Sequence, residues 1–438
     1  MSAPVTYARR LGLFSSVMMV IGGIIGAGIF LNPSIVAQRV GTAPLSLGVW
    51  LLGGAIALAG AFAFAELGAR QPDAGGGYAY LRDAYGPLPA FLYAWALLLI
   101  IATGAIAAVA VTFAGYAVAL FQLPAAAMLP LAVGAIVLLT GVNYLGVRPG
   151  AVTQNIFTLL KLVALAALIG AGLVLGGAAA PATTAAVRPP ALGLAVGAAL
   201  VPVLFSYGGW QQTNFVAGEI VAPERNLPRA LVIGVLGVVL VYVLADLAYL
   251  RVLGVSGLAA SSAPAADVMG RVLGPAGRSV ITAGIAVSTF GFLNLVILAS
   301  PRVYQAMAGD GLFFPSFARL HPTYRTPAVA LLAQGMWAVL LTLTGRYGDL
   351  LDYVVFGDWI FFALTVGTLF VFRRRDRRAG VAPGPSRTPG YPVLPALFIA
   401  AACYVVVGSV ASNPQNAARG TALMLLGIPV FAFWRRRS

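Results

Sequence analysis

The stretch Val20-Ile21-Gly22-Gly23-Ile24-Ile25-Gly26-Ala27-Gly28-Ile29-Phe30 lies inside an apolar run and interrupts it with glycine. Far down the chain, Phe205-Ser206-Tyr207-Gly208-Gly209-Trp210 interrupts another. Backbone in hydrocarbon must hydrogen-bond to itself, so a broken helix survives in a membrane only beside protein or a wet cavity. Two breaks in corresponding places of two halves point to a binding site near the bilayer midplane.

Composition supports the membrane reading. Of 438 residues, 60% are hydrophobic and 9% charged, with a mean hydropathy of +0.94. Soluble domains carry about 25% charged residues. At roughly 20 apolar residues per spanning helix, the length accommodates about a dozen spans. The pattern predicts an all-α membrane protein with twelve transmembrane helices near 12–38, 45–68, 88–121, 127–144, 150–176, 192–221, 229–254, 277–308, 327–344, 350–372, 391–411 and 418–434. Gly86-Pro87, Arg148-Pro149-Gly150, Arg188-Pro189-Pro190, Gly274-Pro275 and Asn413-Pro414 punctuate them. The first span is too long for a cleavable leader and many more follow, so it is expected to stay in the mature chain.

The net charge of +15 resides almost entirely in arginine. Arg9, Arg10, Arg70, Arg82, Arg148, Arg225, Arg229, Arg302, Arg319, Arg325 and Arg387 fall on the side of the N-terminus, with the run Arg373-Arg374-Arg375-Asp376-Arg377-Arg378 and Arg435-Arg436-Arg437. They outnumber Arg39, Arg188, Arg251, Arg271, Arg278, Arg346 and Arg419 on the other side. This bias places both termini in the cytoplasm. It also accounts for the basic charge without nucleic acid. The 373–378 run reads as a stop-transfer flank that can meet anionic lipid.

Spans one to five (12–176) and six to ten (192–372) form two halves, and 391–434 adds two helices outside them. An odd number of spans per half inverts the second half, a 5+5 repeat that brings the two breaks together. A broken helix exposes N–H groups at the start of one segment and C=O groups at the end of the other. A zwitterionic amino acid carries both complementary charges on one carbon. Amides around Ala27, Gly28 and Ile29 suit a carboxylate, and carbonyls near Ile24, Phe205 and Ser206 suit an ammonium. The alternative for these glycines is helix packing, since Gly22 and Gly26 form a small-xxx-small pair.

Gly23-Ile24-Ile25-Gly26-Ala27-Gly28-Ile29-Phe30-Leu31-Asn32-Pro33 resembles the first-helix signature of the amino acid–polyamine–organocation superfamily, whose fold is that of the leucine transporter. Phe64-Ala65-Glu66-Leu67-Gly68 with Pro72 to Tyr80, Phe205 to Trp210 with Asn214-Phe215, and Ser300-Pro301-Arg302 to Gly311 resemble its second, sixth and eighth helices. The nearer likeness is to L-type amino acid transporters and their bacterial relatives. The resemblance implies that Gly26, Ala27 and Gly28 grip the carboxylate, that Ile24, Phe205 and Gly208 surround the α-amino group and side chain, and that Phe205 is an outer lid. Asp358 and Trp359 fall in the tenth span, where the family places its side-chain pocket. Ala27 stands where serine is frequent, leaving recognition to the backbone.

Lys161 is the only lysine and lies within span five. The alternatives are a side chain snorkelling to the inner surface and, by the resemblance, a tethered ammonium in place of the sodium that related carriers bind between helices 1 and 8. In the second case Ser288 and Thr289 would line the same spot, transport would be sodium-independent, and the amine would be able to exchange a proton. Asp246, where relatives tend to carry an uncharged polar residue, is a candidate proton site or a neutral buried acid. Asp358 offers a partner to a cationic side chain. Glu66 is expected to gate or anchor the inner end of span two.

The leading expectation is a carrier of neutral L-amino acids in a bacterial cytoplasmic membrane, an exchanger or proton-linked symporter, with no cofactor. A carrier of cationic amino acids or polyamines is the alternative. The single His321 and scattered acids give no catalytic or metal-binding cluster, which argues against an intramembrane enzyme. No G-x-x-x-x-G-K-[ST] stretch is present for an ATP-driven pump, and no filter or charged ring for a channel. Some eukaryotic relatives pair with a glycoprotein through a disulfide. The single Cys403 is expected to be buried in span eleven, so no disulfide-linked subunit is expected.

Overall fold

The computed structural model describes residues 6–177, 191–345, 347–382, 384 and 386–436, with the side chains of 347–355 left out. Arg188, Pro189, Pro190, Arg346 and Arg437, used above for punctuation and charge, lie outside the described residues. The described chain is helical. Its β-type pairing is a single bridge between Leu11 and Ile220.

The first broken run becomes two helices, α1 (Leu13–Ile24) and α2 (Gly28–Val40), bent by 43° across Ile25, Gly26 and Ala27. There follow α3 (Ala43–Arg70), the short α4 (Gly77–Tyr85), α5 (Pro87–Phe121), α6 (Ala125–Tyr144) and α7 (Val147–Leu175). The second broken run begins as α8 (Leu192–Ser206). It unwinds at Tyr207 and continues only as a turn, Gln212–Phe215. Then come α9 (Pro223–Ala260), α10 (Pro264–Gly309), α11 (Ala328–Leu343), α12 (Tyr347–Ala379), α13 (Val393–Ser412) and α14 (Pro414–Arg435). Nine of these helices are long and apolar enough to cross a membrane, ten if α1 and α2 make one span, while α8 and α11 are apolar but shorter.

Two boundaries expected near 254 and 277 appear as kinks. Gly254 in α9 and Gly274 in α10 take left-handed φ of 67° and 66°, which glycine adopts without Cβ strain. Helix then continues beyond each kink.

The breaks lie at the centre of the bundle. α1 packs on α7 and α9, α2 on α8 and α9, and α10 on α5 and α7. The two unwound backbones touch. A Cβ built on Gly209 would lie 1.9 Å from the Gly23 carbonyl oxygen, and one on Gly23 would lie 2.9 Å from the Gly209 oxygen. Gly209 also has φ of +108°. Glycine at both positions permits the crossing.

Ion pairs gather where the C-terminal ends of α3, α10 and α12 meet. Glu66 accepts from Arg373 through both carboxylate oxygens, at 2.8 and 2.6 Å, and from the Thr388 amide at 2.7 Å. Arg70 pairs with Asp376. Arg82 pairs with Asp310 at 2.8 Å, and the Tyr78 hydroxyl donates to the same carboxylate at 2.7 Å. Burial, then that hydrogen bond, pushes the Tyr78 phenol above its ordinary range, so it remains a donor. Deepest is Glu219 with Arg302, 2.9 Å apart and both 1% exposed. The Glu219 carbonyl also accepts from the Arg10 and Leu11 amides, tying the N-terminal segment beneath the second break.

Two expectations change here. Arg373 and Asp376 of the basic run are turned inward to Glu66 and Arg70, while Arg375, which bonds the Asp83 and Ala84 carbonyls, stays exposed with Arg374, Arg377 and Arg378. Cys403 is exposed rather than buried. α13 touches the bundle along one narrow stripe, Pro395, Phe398, Ala402 and Val405, and Cys403 falls outside it.

Candidate functional site

A cavity of about 320 Å³ lies between the two breaks. It brings together Ile24, Gly26, Ala27, Gly28, Phe205, Ser206, Gly208, Asp358 and Trp359, all nine residues expected to bind substrate. α2 starts at Gly28, so the amides of Gly28 and Ile29 have no acceptor within the helix, while that of Phe30 bonds the Ala27 carbonyl at 3.1 Å. Ala27 and Gly28 line the cavity and present that helix start to it, the arrangement that receives a carboxylate. Gly28 is pressed against Ser206, whose Oγ would lie 2.5 Å from an added Cβ. Gly26 has room, with the Phe292 ring at 3.7 Å as its nearest neighbour. Phe205 is 42% exposed at the cavity wall, an aromatic ring without full packing of its own.

The carbonyl side is more engaged than the sequence suggests. The Tyr242 hydroxyl, from α9, lies 3.2 Å from the Ile24 carbonyl and 3.1 Å from that of Ser206, joining both breaks at one atom. The Phe205 carbonyl accepts the Gly208 amide at 3.2 Å. Each carbonyl has a second lone pair, so an ammonium would share these acceptors with protein donors. Asn32 adds a further tie, donating to the Pro202 carbonyl at 3.0 Å and to Ser206 Oγ at 2.8 Å.

Behind the first break, the buried Lys161 Nζ donates to the carbonyls of Gly22 at 3.1 Å and Ile25 at 2.6 Å. Ser288 donates to the Gly26 carbonyl at 2.9 Å and lies 3.3 Å from that of Ile25. Consecutive carbonyls freed by the break are therefore held by an ammonium and a hydroxyl. Thr289 lines the cavity, but its hydroxyl bonds the Ile285 and Ala286 carbonyls of its own helix. Asp246 is not at the cavity. It is fully buried where α9 meets α3 and accepts from Ser46 at 3.0 Å.

The opposite wall comes from α5, with Leu97, Ile101, Ala102, Ala105, Ala108, Val109 and Thr112. Where this wall begins, ten residues into α5, the helix makes a π-turn, Leu97–Ile101. A π-turn loosens carbonyls from the α pattern. Three side chains claim them: Tyr304 takes that of Leu97 at 3.3 Å, Thr103 that of Leu98 at 2.8 Å and Trp337 that of Leu99 at 3.0 Å. Sequence reasoning missed this wall and Tyr242, because neither a π-turn nor a tyrosine reaching between helices leaves a local pattern. Asn32 was within reach, being the polar residue that ends the first-helix motif. Among the described residues, Asp358 is the one acidic or basic side chain on the cavity wall, which is otherwise apolar or uncharged.

A helical membrane protein with a cavity between two touching helix breaks has the construction of a carrier. The chain belongs to the amino acid permease family, which it matches over residues 11–434, within the amino acid–polyamine–organocation superfamily. It is 33% identical to the large neutral amino acids transporter small subunit 2 of Mus musculus, over 99% of this chain and 83% of that protein. It is 31% identical to the serine/threonine exchanger SteT of Bacillus subtilis (strain 168), over 98% of both, and 32% identical to the b(0,+)-type amino acid transporter 1 of Mus musculus, over 97% of this chain and 87% of that protein. It is an amino acid transporter, not an enzyme.

Proposed function

We propose that this chain is a sodium-independent carrier of neutral L-amino acids that works by alternating access, exchanging one amino acid for another or moving it with a proton. The observation that carries this is Lys161, whose Nζ occupies the acceptors left by the first break, where a mobile cation would otherwise bind. The α2 amides take the substrate carboxylate, the carbonyls of Ile24 and the end of α8 its ammonium, and the α5 wall its side chain. Two relatives, a large neutral amino acids transporter and a serine/threonine exchanger, favour the same substrate class.

Counting α8 with its break, and α11, alongside the ten apolar spans makes twelve. We assign them to the leucine-transporter-like arrangement, with 12–176 and 192–372 as inverted halves and 391–434 outside them. Arginine bias puts both termini in the cytoplasm. One relative is bacterial, and we place this carrier in a bacterial inner membrane. With one thiol, facing outward from an apolar helix, it is proposed to work without a disulfide-linked subunit. A second reading, transport of cationic amino acids, draws on Asp358, which can neutralise a basic side chain within the cavity.

Proteoliposome uptake with a panel of labelled amino acids tests both readings, varying internal amino acid, pH gradient and Na⁺ separately. Uptake of neutral substrates, unaffected by replacing Na⁺ with choline, is expected. A strict Na⁺ requirement overturns the role of Lys161. Uptake confined to lysine, arginine or polyamines replaces the first reading with the second.

A further inference from the structure

α9 carries a polar stripe that the cavity does not use. Tyr242, Asp246 and Tyr249 recur at helical spacing and share one face. Tyr242 holds the Ile24 and Ser206 carbonyls, and Tyr249 the Ile29 carbonyl at 3.1 Å, so this face grips both halves of the first break and the end of α8. Asp246 stands between the two tyrosines. Its Oδ2 accepts from Ser46, while its Oδ1 is buried without a partner. Two donors nearby are equally unmatched: Trp50 Nε1 and the Tyr207 hydroxyl, both buried. The rings of Trp50, Tyr207 and Tyr242 pack together, with centroids 5.0 to 5.9 Å apart.

An acceptor without a donor, beside donors without an acceptor, marks a site built for two arrangements. A buried carboxyl with one neutral hydroxyl partner is accommodated as the neutral acid, because an ionised group there would lack the donors that offset desolvation. The groups bearing on it are Ser46 of α3, Tyr207 of the second break and Tyr249 of its own helix, with Tyr116 of α5 beyond Tyr249. No basic side chain acts on it among the described residues. The donors that would stabilise the ionised form are therefore Tyr207 and Trp50, and Tyr207 is the first residue past α8.

We infer that Asp246 binds a proton whose release is coupled to movement of the second break. In the arrangement described, the acid is neutral and Tyr207 stays apart. In the other, the proton passes to water, and the Tyr207 hydroxyl and Trp50 indole donate to the carboxylate. A proton that binds the two arrangements unequally shifts their balance. This rests on the carrier reading and adds to it the coupling ion, at a place separate from the substrate.

The test uses the full chain in proteoliposomes, comparing wild type with Asp246→Asn, which mimics the neutral acid. Wild type is expected to take up substrate against its gradient when the outside is acidified, and its exchange rate should vary with symmetric pH. Asp246→Asn should keep exchange within about twofold, a change of about 0.4 kcal/mol, and lose both pH effects. Ser46→Ala, which removes the one partner, should move the midpoint of the pH profile without abolishing it. Retention of the gradient response in Asp246→Asn, or its absence in a wild type that exchanges amino acid, overturns the inference. Infrared spectroscopy of the purified protein supplies a readout independent of transport. A protonated-carboxyl band should vanish with rising pH in wild type and be missing in Asp246→Asn. If that band is identical in the two proteins, the site is rejected even where transport is active. If wild type exchanges no amino acid while the band behaves as expected, the carrier reading fails and the proton site stands.

Discussion

Gly209→Ala gives the sharpest trial of the crossing of the two breaks. The added Cβ lands 1.9 Å from the Gly23 carbonyl oxygen, whereas ordinary contact begins at 3.4 Å, so the two backbones must separate by about 1.5 Å. The residue also has a φ of +108°, and holding alanine in such a conformation costs about 1–3 kcal/mol. Overpacking of a close backbone contact adds about 1–3 kcal/mol. The sum is about 2–6 kcal/mol, a large share of the stability of most domains. Parting the breaks also drags the Ile24 and Ser206 carbonyls away from the single Tyr242 hydroxyl that joins them. Two companion variants separate crowding from loss of glycine as such. Gly26→Ala meets Phe292 at 3.7 Å and should fold normally while filling the cavity, so that half-saturation for substrate rises and thermal stability is kept. Gly141→Ala in α6 meets nothing within 4 Å and should be neutral or stabilising by about 0.5–1 kcal/mol. Thermal unfolding of purified protein in detergent, paired with exchange in proteoliposomes, reads all three. If Gly209→Ala matches wild type in both assays, the breaks do not touch and the site described between them is wrong.

Five other substitutions test individual hydrogen bonds and ion pairs. Lys161→Met strands the Gly22 carbonyl, at a cost of about 1–3 kcal/mol for a buried unsatisfied group, and should cut exchange at least tenfold, with Na⁺ failing to restore it. Ser288→Ala should slow exchange measurably, whereas Thr289→Val should leave it near wild type, because only the serine hydroxyl reaches the first break; equal effects in initial-rate measurements would contradict this geometry. Glu219→Gln leaves Arg302 buried and unpaired, a loss of about 3–5 kcal/mol, and should lower the melting temperature far more than Asp267→Asn, whose pairing with Arg278 is largely exposed.

The breaks were legible because glycine-rich interruption of an apolar run is a local pattern with a physical cost. The nine residues placed around the cavity came from those interruptions and from the likeness of whole motifs. Lys161 stood out as an unmatched charge in an apolar span, and burial forced it onto carbonyls. What escaped notice depends on side chains meeting across helices distant in sequence. Tyr242 looks like any other aromatic in a span, and only the close approach of α1, α8 and α9 gives its hydroxyl two carbonyls. The inward turn of Arg373 required the approach of Glu66 from α3, which charge counting along the chain cannot supply. Cys403 was misjudged because an apolar segment shows that a residue is in the membrane, not which face of its helix it occupies.

The ion pairs joining the ends of α3, α10 and α12 make the two sides of this protein mechanically unlike. To part on that side, the helices must pull Arg82 from Asp310 and Arg70 from Asp376 into water, and solution ions then screen the separated charges. Among the described residues the cavity wall is made mostly of rings and aliphatic side chains such as Phe205 and Val109, to which salt offers little. Added salt on one face of a sealed vesicle should therefore speed only the step that opens that face. A carrier with this asymmetry keeps different clocks for loading and unloading, and the ionic strength of one compartment can set the pace of the whole cycle.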